Sequence, residues 1–562
     1  MQKTCANGWC KASFEITDAD LEFYEKVSPV IVEKKYPVPP PTQCPECRRQ
    51  RKLAWRNERT LYPRPCDRCG KSIISVHSPE NSYPVYCNPC WRDEAWDPLQ
   101  YGIAYDPQRS FFEQRKELCN RVPQRAMVND DGVRSENCEY CFDVAYAKDC
   151  YLCIGMWKAQ HCLYCRNCDL SKFCVDGEGV KLGSELAYES VDSQRLYRCA
   201  FLQNSEHCSD CWFGFDLKDC SDCIGCVGLR QKHYYIFNQS YLKEEYQSRR
   251  EALRLTSYVS LEKFFQEFAA FSLQLPRKNM NLQQCEDSRG DHLFNCRDVL
   301  GFVSTNSEHS RWIERSDGPI WSYDIVQSGS PQWGLEQITA DDSYGVLFSA
   351  YCNQSKFALY SDNCLSCEQV LGCVSLRRKK YCILNREYAQ DAYEKLVGTI
   401  LAAMQEAGEY GEFFPVSLSP FGYNETNASE FYPLEESEVH QRGWSWRSAH
   451  PSTIGKETLQ PENIPDDIHD VPGTITHEIL ACTSCRRNYR IVIQELDFYR
   501  SMSLPIPRKC PDCRNRDRLA RRNPFRLFSR TCAKCGKGME TTFSSESKAV
   551  VYCEECYLKQ VY

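Results

Sequence analysis

Residues 44–91 and 510–557 of this chain are one cysteine module written twice. They align without a gap at a constant offset of 466, so Cys44, Cys47, Cys66, Cys69, Cys87 and Cys90 fall on Cys510, Cys513, Cys532, Cys535, Cys553 and Cys556. Each copy is completed upstream by a further pair, Cys5/Cys10 and Cys482/Cys485. A CxxC turn brings two sulfurs to one ion, and four thiolates fill a tetrahedron. Sequence order allows two pairings in each module. Joining adjacent pairs gives Cys5/Cys10 with Cys44/Cys47 and Cys66/Cys69 with Cys87/Cys90, then Cys482/Cys485 with Cys510/Cys513 and Cys532/Cys535 with Cys553/Cys556. Four Zn2+ ions are the expected cofactors. With every position filled by protein there is no vacancy for water, so the expected role is structural rather than catalytic.

The chain holds 38 cysteines in 562 residues, which admits a disulfide framework in an oxidising compartment or bound metal in a reducing one. The opening string MQKTCANGWCKASFEITDADLEFYEKV has no apolar core of signal-peptide length, and Cys5 is already a candidate ligand. No run of about 18 apolar residues is present. A cytoplasmic protein with reduced thiols and no membrane span is expected. The net charge of −7 excludes indiscriminate binding of nucleic acid, so any basic surface must be local.

The middle of the chain is a second duplication. CVGLRQKHYYIFNQSYLKEEY begins at Cys226 and CVSLRRKKYCILNREYAQDAY at Cys373, an offset of 147 that also carries Cys138 onto Cys285. The expected layout is an N-terminal tandem zinc module over 1–98, a helical bridge over 99–127, half-domains over 128–275 and 276–420, a polar, Pro-containing linker over 421–476, and a C-terminal tandem zinc module over 477–562. Within the first half Cys138, Cys150, Cys162 and Cys174 are spaced by twelve, and Cys141, Cys153 and Cys165 follow three residues behind. Similar segments precede these cysteines: AYAKDC, WKAQHC, DLSKFC, QNSEHC and DLKDC. A short fixed period means stacked repeats that bury their faces on one another. The expected fold class is multidomain and mainly β with α: tandem treble-clef modules at both ends, flanking a duplicated Cys-rich β-solenoid-like middle with helical closures.

The 22 cysteines outside the quartets are either ligands for further metal or small residues stacked in a narrow core. Fifteen belong to the first half with its bridge and seven to the second, which nevertheless keeps its helices. Loss of ligands would unfold a metal-held domain, whereas exchange of buried thiols need not. Packing is therefore the favoured reading.

The second CxxC of each first quartet runs into helix-like sequence, CRRQRKLAWRNER and CRNRDRLARR, the treble-clef arrangement, with thiolates at the positive end of the helix dipole. The string ELDFYRSMSLPIPRKCPDCRNRDRLARRNP resembles the probable zinc-binding treble-clef domain of bacterial proteins. With CVGLRQKHYYIFNQSYLKEEY, GEFFPVSLSPFGYNET and IPDDIHDVPG, the layout resembles uncharacterised Cys-rich zinc-ribbon proteins of candidate-phyla-radiation bacteria across nearly the whole chain. The resemblance implies zinc and architecture and no reaction. No P-loop, dinucleotide glycine motif, nucleophile elbow or HExxH occurs.

Arginines cluster behind the first quartet of each module, with aromatic residues among them. Arg48, Arg51, Arg56, Arg514, Arg518 and Arg522 are the expected phosphate contacts of an RNA or DNA site. The same charges also suit a protein partner, or neutralisation of a zinc tetrathiolate centre of formal charge minus two. The reading adopted is a non-enzymatic zinc scaffold that binds nucleic acid. A protein-assembly adaptor using the solenoid surface is the second reading, and a metal-handling or redox protein using Cys150, Cys153, Cys162 and Cys165 the third. No small-molecule substrate is indicated.

Overall fold

The computed structural model describes residues 1–129, 134–171, 174–177, 179, 184–339, 341–448 and 453–562. Lys172 and Phe173 of the DLSKFC segment, and residues 449–452 of the expected linker, lie outside the described residues. The architecture is mixed α/β rather than mainly β, with many short strands and twelve α-helices among the described residues. The chain divides into two compact units. One joins Met1–Met127 to Met280–Ser448, and the other joins Val128–Asn279 to Ala449–Tyr562. Each unit therefore contains one terminal cysteine module and one middle half, in crossed order: the first module belongs with the second half.

In the second unit, short parallel strands pair at a register of twelve, as in Cys138 with Cys150, Tyr197 with Ser209, and Ser221 with His233. One pairing, Val175 with Tyr188, takes thirteen. A finer period of three lies inside the twelve. Cys138, Cys141, Val144, Ala147, Cys150, Cys153, Met156, Ala159, Cys162, Cys165 and Cys168 all lie in one buried cluster. The residue before each adopts a left-handed backbone, from Asn137 (φ 52°) and Tyr140 (φ 55°) through Asp149 (φ 53°) to His161 (φ 56°). Each triplet thus has a core residue, an outward residue and a left-handed corner. A left-handed corner costs a non-glycine residue on the order of 1 kcal/mol, offset here by the ladder it closes.

The ladder uses two of every three N–H groups. Phe142 N donates forward to Cys153 O (2.9 Å), and corner Leu152 N donates back to Glu139 O (3.0 Å). The N–H of the core residue points inward and has no carbonyl to meet. A buried N–H needs an acceptor, and the side chain one repeat earlier supplies it. Leu196 N donates to Ser184 Oγ, Leu217 N to Ser205 Oγ (both 3.1 Å), and Cys153 N to Cys141 Sγ (3.4 Å). The same side chains donate in turn to carbonyls: Cys141 Sγ lies 3.2 Å from Glu139 O and 3.4 Å from Cys150 O.

The middle of the first unit follows the same rule. Its early repeats run at eleven, as in Arg289 with Leu300, and later ones at twelve, as in Glu368 with Lys380. The shorter repeat brings backbones together at Gly290, where φ is +140° and a Cβ would lie 1.7 Å from Gly301 O. Here serine takes the place of many thiols. Cys367 N donates to Ser355 Oγ (3.2 Å) and Cys373 N to Ser361 Oγ (3.1 Å). Ser and Cys exchange because each is small and both donates and accepts. The central thiols are therefore hydrogen-bonding groups and not only apolar filling.

Both ladders end alike. Asn238 accepts from Val227 N through Oδ1 and donates to Val227 O through Nδ2, both at 2.9 Å, and Asn385 makes the same pair with Val374 at 2.8 Å. The chain then turns back antiparallel and enters helix, at Lys243–Ala252 in one unit and Gln390–Glu406 in the other. The second unit adds the helix Tyr258–Leu273, whose Phe264 ring lies 4.8 Å from Phe213 and 5.1 Å from Phe237. The bridge helix forms as Phe111–Cys119. Residues 421–448, expected as linker, instead pack into the first unit: Tyr423, Ala428 and Val439 are buried against Leu53, Ala54 and Val326.

Removing the inward acceptor tests this scheme. Ser361→Ala leaves the buried Cys373 N–H unmet and is expected to lower stability by about 1–3 kcal/mol, while Ser361→Cys costs less, as read by chemical denaturation. Equal tolerance of Ala and Cys would show that the N–H finds another partner.

Candidate metal centres

Four groups of four cysteines assemble in the pairing that joins adjacent cysteine pairs: Cys5, Cys10, Cys44 and Cys47; Cys66, Cys69, Cys87 and Cys90; Cys482, Cys485, Cys510 and Cys513; Cys532, Cys535, Cys553 and Cys556. Within each group the sulfurs lie within 4.8 Å of one another, so each could hold a metal ion.

The local folding is the same four times. A short turn presents the first pair; around Cys482 and Cys485 it is closed by antiparallel pairing of Leu480–Ala481 with Asn488–Tyr489. The third cysteine is the N-cap of a helix: Cys44 of Pro45–Leu53, Cys87 of Asn88–Arg92, Cys510 of Pro511–Ala520 and Cys553 of Glu554–Val561. Its backbone N–H donates to the sulfur of the first cysteine, at 3.4, 3.3, 3.2 and 3.2 Å respectively. Second and third sulfurs are 3.7, 3.9, 3.6 and 3.8 Å apart. Donors aimed at sulfur favour thiolate. Burial opposes ionisation of Cys482, but the N–H groups of Cys485, Cys510 and Ser484 bring its thiol down to about 7. Against the same opposition, backbone donors bring Cys66 down to about 7 and Cys532 to about 6.

The middle thiols have the opposite polarity. Their S–H groups are placed against backbone carbonyls. Cys165, Cys168 and Cys174 satisfy the same distance criterion as the quartets. Yet Cys165 Sγ donates to Leu163 O (3.2 Å) and Cys168 Sγ to Arg166 O (3.5 Å), and burial drives the Cys165 thiol well above its ordinary range. The same donation occurs at Cys150, Cys153 and Cys162, whose sulfurs lie 3.4, 3.4 and 3.3 Å from the carbonyls two residues earlier.

The arginines expected to meet phosphate are turned inward, and that assignment is corrected. In the first unit Arg48 pairs with Asp324 (3.2 Å) and is 3% exposed. Arg51 bridges Glu336 (2.6 Å) and Glu412 (2.5 Å), and Arg56 binds Glu58, Thr339 and Gln327. In the second unit Arg514 pairs with Asp176 and Glu495, Arg518 with Asp176 (3.1 Å) and Glu189 (3.6 Å), and Arg522 with Asp192 (2.6 Å). Asp324, Glu336, Asp176, Glu189 and Asp192 all occupy left-handed corners. Each arginine-bearing helix thus docks on the carboxylate edge of the ladder in its own unit. Sequence reasoning missed these carboxylates, although Asp324 and Glu336 stand one repeat apart.

Other arginines of the C-terminal module face water. Arg486, Arg487 and Arg490 lie on or beside the turn that presents Cys482 and Cys485, and all three are exposed, as is Arg516 on the helix after Cys510. Arg516 Nη2 lies 2.9 Å from Cys513 Sγ. Among the described residues none of the four has a carboxylate partner.

No family model matches this chain, and neither the curated proteins nor the solved structures contain a match. No helix among the described residues is long and apolar enough to cross a membrane.

Breaking a buried ion pair costs roughly 3–5 kcal/mol when one charge is left behind. Arg514→Ala, which leaves buried Glu495 without a cation and Asp176 with Arg518 alone, is expected to destabilise the second unit by up to about that amount in denaturant titrations. Arg486→Ala, at an exposed unpaired site, is expected to change stability by less than about 0.5 kcal/mol.

Proposed function

We propose that the protein is a zinc-stabilised, non-enzymatic scaffold that binds single-stranded RNA or DNA through Arg486, Arg487, Arg490 and Arg516. Zinc fits the quartets in size as well as in chemistry. Zn–S bonds of about 2.3 Å place tetrahedral sulfurs about 3.8 Å apart, beside observed separations of 3.6 to 3.9 Å. A turn carrying two ligands, followed by a helix whose N-cap is the third, is the treble-clef arrangement. The parallel ladders, with their twelve-residue period and antiparallel ends, read as two halves of a β-solenoid. Four thiolates leave no open coordination position, so zinc here would hold the fold and do no chemistry. The carbonyl oxygens that the central sulfurs face weigh against a metal-handling role.

One observation carries the nucleic-acid reading: these four exposed arginines lack carboxylate partners, whereas Arg48, Arg51, Arg514, Arg518 and Arg522 of the same modules are ion-paired. An unpaired guanidinium is the fork that phosphate fits. Binding that neutralises about four phosphates of a single strand weakens with salt at a logarithmic slope near −3. The expected result with a fluorescent single-stranded 12-mer is that slope, falling to about −1 in R486Q/R487Q/R490Q. Salt-independent binding, no binding, or a nuclease-resistant protein partner that occupies the same face would reject the reading.

Metal content checks the rest. Elemental mass spectrometry of anaerobically purified protein is expected to give four zinc ions per chain, and three for Cys510→Ala. Iron, copper, or more than four ions would return the central cysteines to consideration.

A further inference from the structure

The first unit contains a cleft of about 490 Å³ beside its first cysteine quartet, walled by Trp9, Trp444, Phe112, Tyr410 and Phe413. This lies in the size range of roughly 300–1,000 Å³ that small-molecule sites occupy. Its charges are mostly committed. Glu412 binds Arg51 and Thr42, and Glu409 caps the helix Phe111–Cys119 through Ser110 Oγ and Phe111 N. The exception is Arg442. Its guanidinium carbon lies 4.7 Å from the centre of the Trp9 ring and 5.3 Å from that of Trp444, and among the described residues it has no carboxylate partner.

The clamp around Arg442 is anchored on one side only. Trp444 stacks on buried Tyr423 (5.3 Å, 28°), whose hydroxyl donates to Tyr432 O and accepts from Gln50 Nε2. Trp9 meets Trp444 edge-on (5.5 Å, 88°) and is 46% exposed. A large indole surface is thus left open to water, next to a guanidinium that lies close to both rings and makes no hydrogen bond among the described residues. Gln43 also lines the cleft and makes no hydrogen bond among the described residues, so its amide can both donate and accept.

We propose that this cleft binds a nucleotide, with the base stacked on Trp9, the phosphate on Arg442 and the base edge read by Gln43. The charge sign selects an anion, and the open indole selects a ligand with a flat π-face. Stacking on an aromatic side chain contributes about 1–3 kcal/mol per base, and a guanidinium fork matches phosphate oxygens. The site is separate from Arg486, Arg487 and Arg490 in residues and in unit, and its existence does not depend on theirs.

The test is equilibrium dialysis of the full chain against adenosine 5′-monophosphate, adenosine and inorganic phosphate. The monophosphate is expected to bind at least tenfold more tightly than either fragment. Trp9→Ala and Arg442→Ala are each expected to weaken it about tenfold or more, with unchanged melting temperature and zinc content, and R486Q/R487Q/R490Q is expected to leave it unaltered. Absence of binding, binding indifferent to both cleft variants, or loss of binding only in R486Q/R487Q/R490Q would overturn the proposal. Phosphate that binds as well as the nucleotide, with Trp9→Ala silent, would overturn the stacking component and with it the nucleotide assignment.

Discussion

An N–H that faces the core once in every three residues is the constraint on which the rest of this structure depends. The parallel ladder satisfies the outward and corner amides and leaves the third without a carbonyl. An unmet buried donor costs about 1–3 kcal/mol, and dozens of triplets would make the ladder untenable if each stood alone. Ser184, Ser205, Ser355 and Ser361 answer with hydroxyls, and Cys141 with sulfur. A larger polar side chain enters at Gln337, which donates to Val346 O beside Gly334. The narrowness of the ladder and its richness in Cys and Ser are one fact seen from two directions.

The corners carry the second half of the architecture. Because every third residue is left-handed, its side chain projects from an edge, and acids placed there form a line one repeat apart. Asp324 and Glu336 in one unit, and Asp176, Glu189 and Asp192 in the other, meet arginines of the helix that follows a cysteine quartet. The cysteines fix the start of that helix and the carboxylates fix its direction. In a chain of net charge −7, much of the arginine in these helices is consumed internally, so a count of basic residues overstates the positive surface.

Much of this was legible in the sequence and part was not, for identifiable reasons. The quartets were, because ligand spacing is a local property and the module occurs twice. The twelve-residue period was visible in Cys138, Cys150 and Cys162. The triplet was also present in Cys138/Cys141 and Cys150/Cys153, but those pairs look like metal-binding CxxC doublets, and only the direction of their hydrogen bonds separates the two. The inward arginines could not be read, since Arg48 and Arg514 have the same local sequence whether they face phosphate or Asp324 and Asp176. Exposed Arg486, Arg487 and Arg490 were passed over because their density is lower. Residues 421–448 were mistaken for a linker because aromatic burial at Tyr423 and Trp444 has no periodicity.

The crossed membership of the two units has a consequence for synthesis. Residues 1–127 leave the ribosome long before the segment 280–448 that completes their unit, and residues 128–279 wait for 449–562. At about 5–20 residues per second, each half-built unit spends many seconds with its partner segment unmade. During that time the corner carboxylates of the early ladder lack the arginines of the last module, and Arg48 and Arg51 of the first module lack Asp324, Glu336 and Glu412. Cysteine quartets can close within their own module, so any metal capture would be a local event that precedes docking. The nascent chain would thus carry a folded metal knot ahead of an unfinished ladder, and a helix that emerges late would be the one that seals the older half.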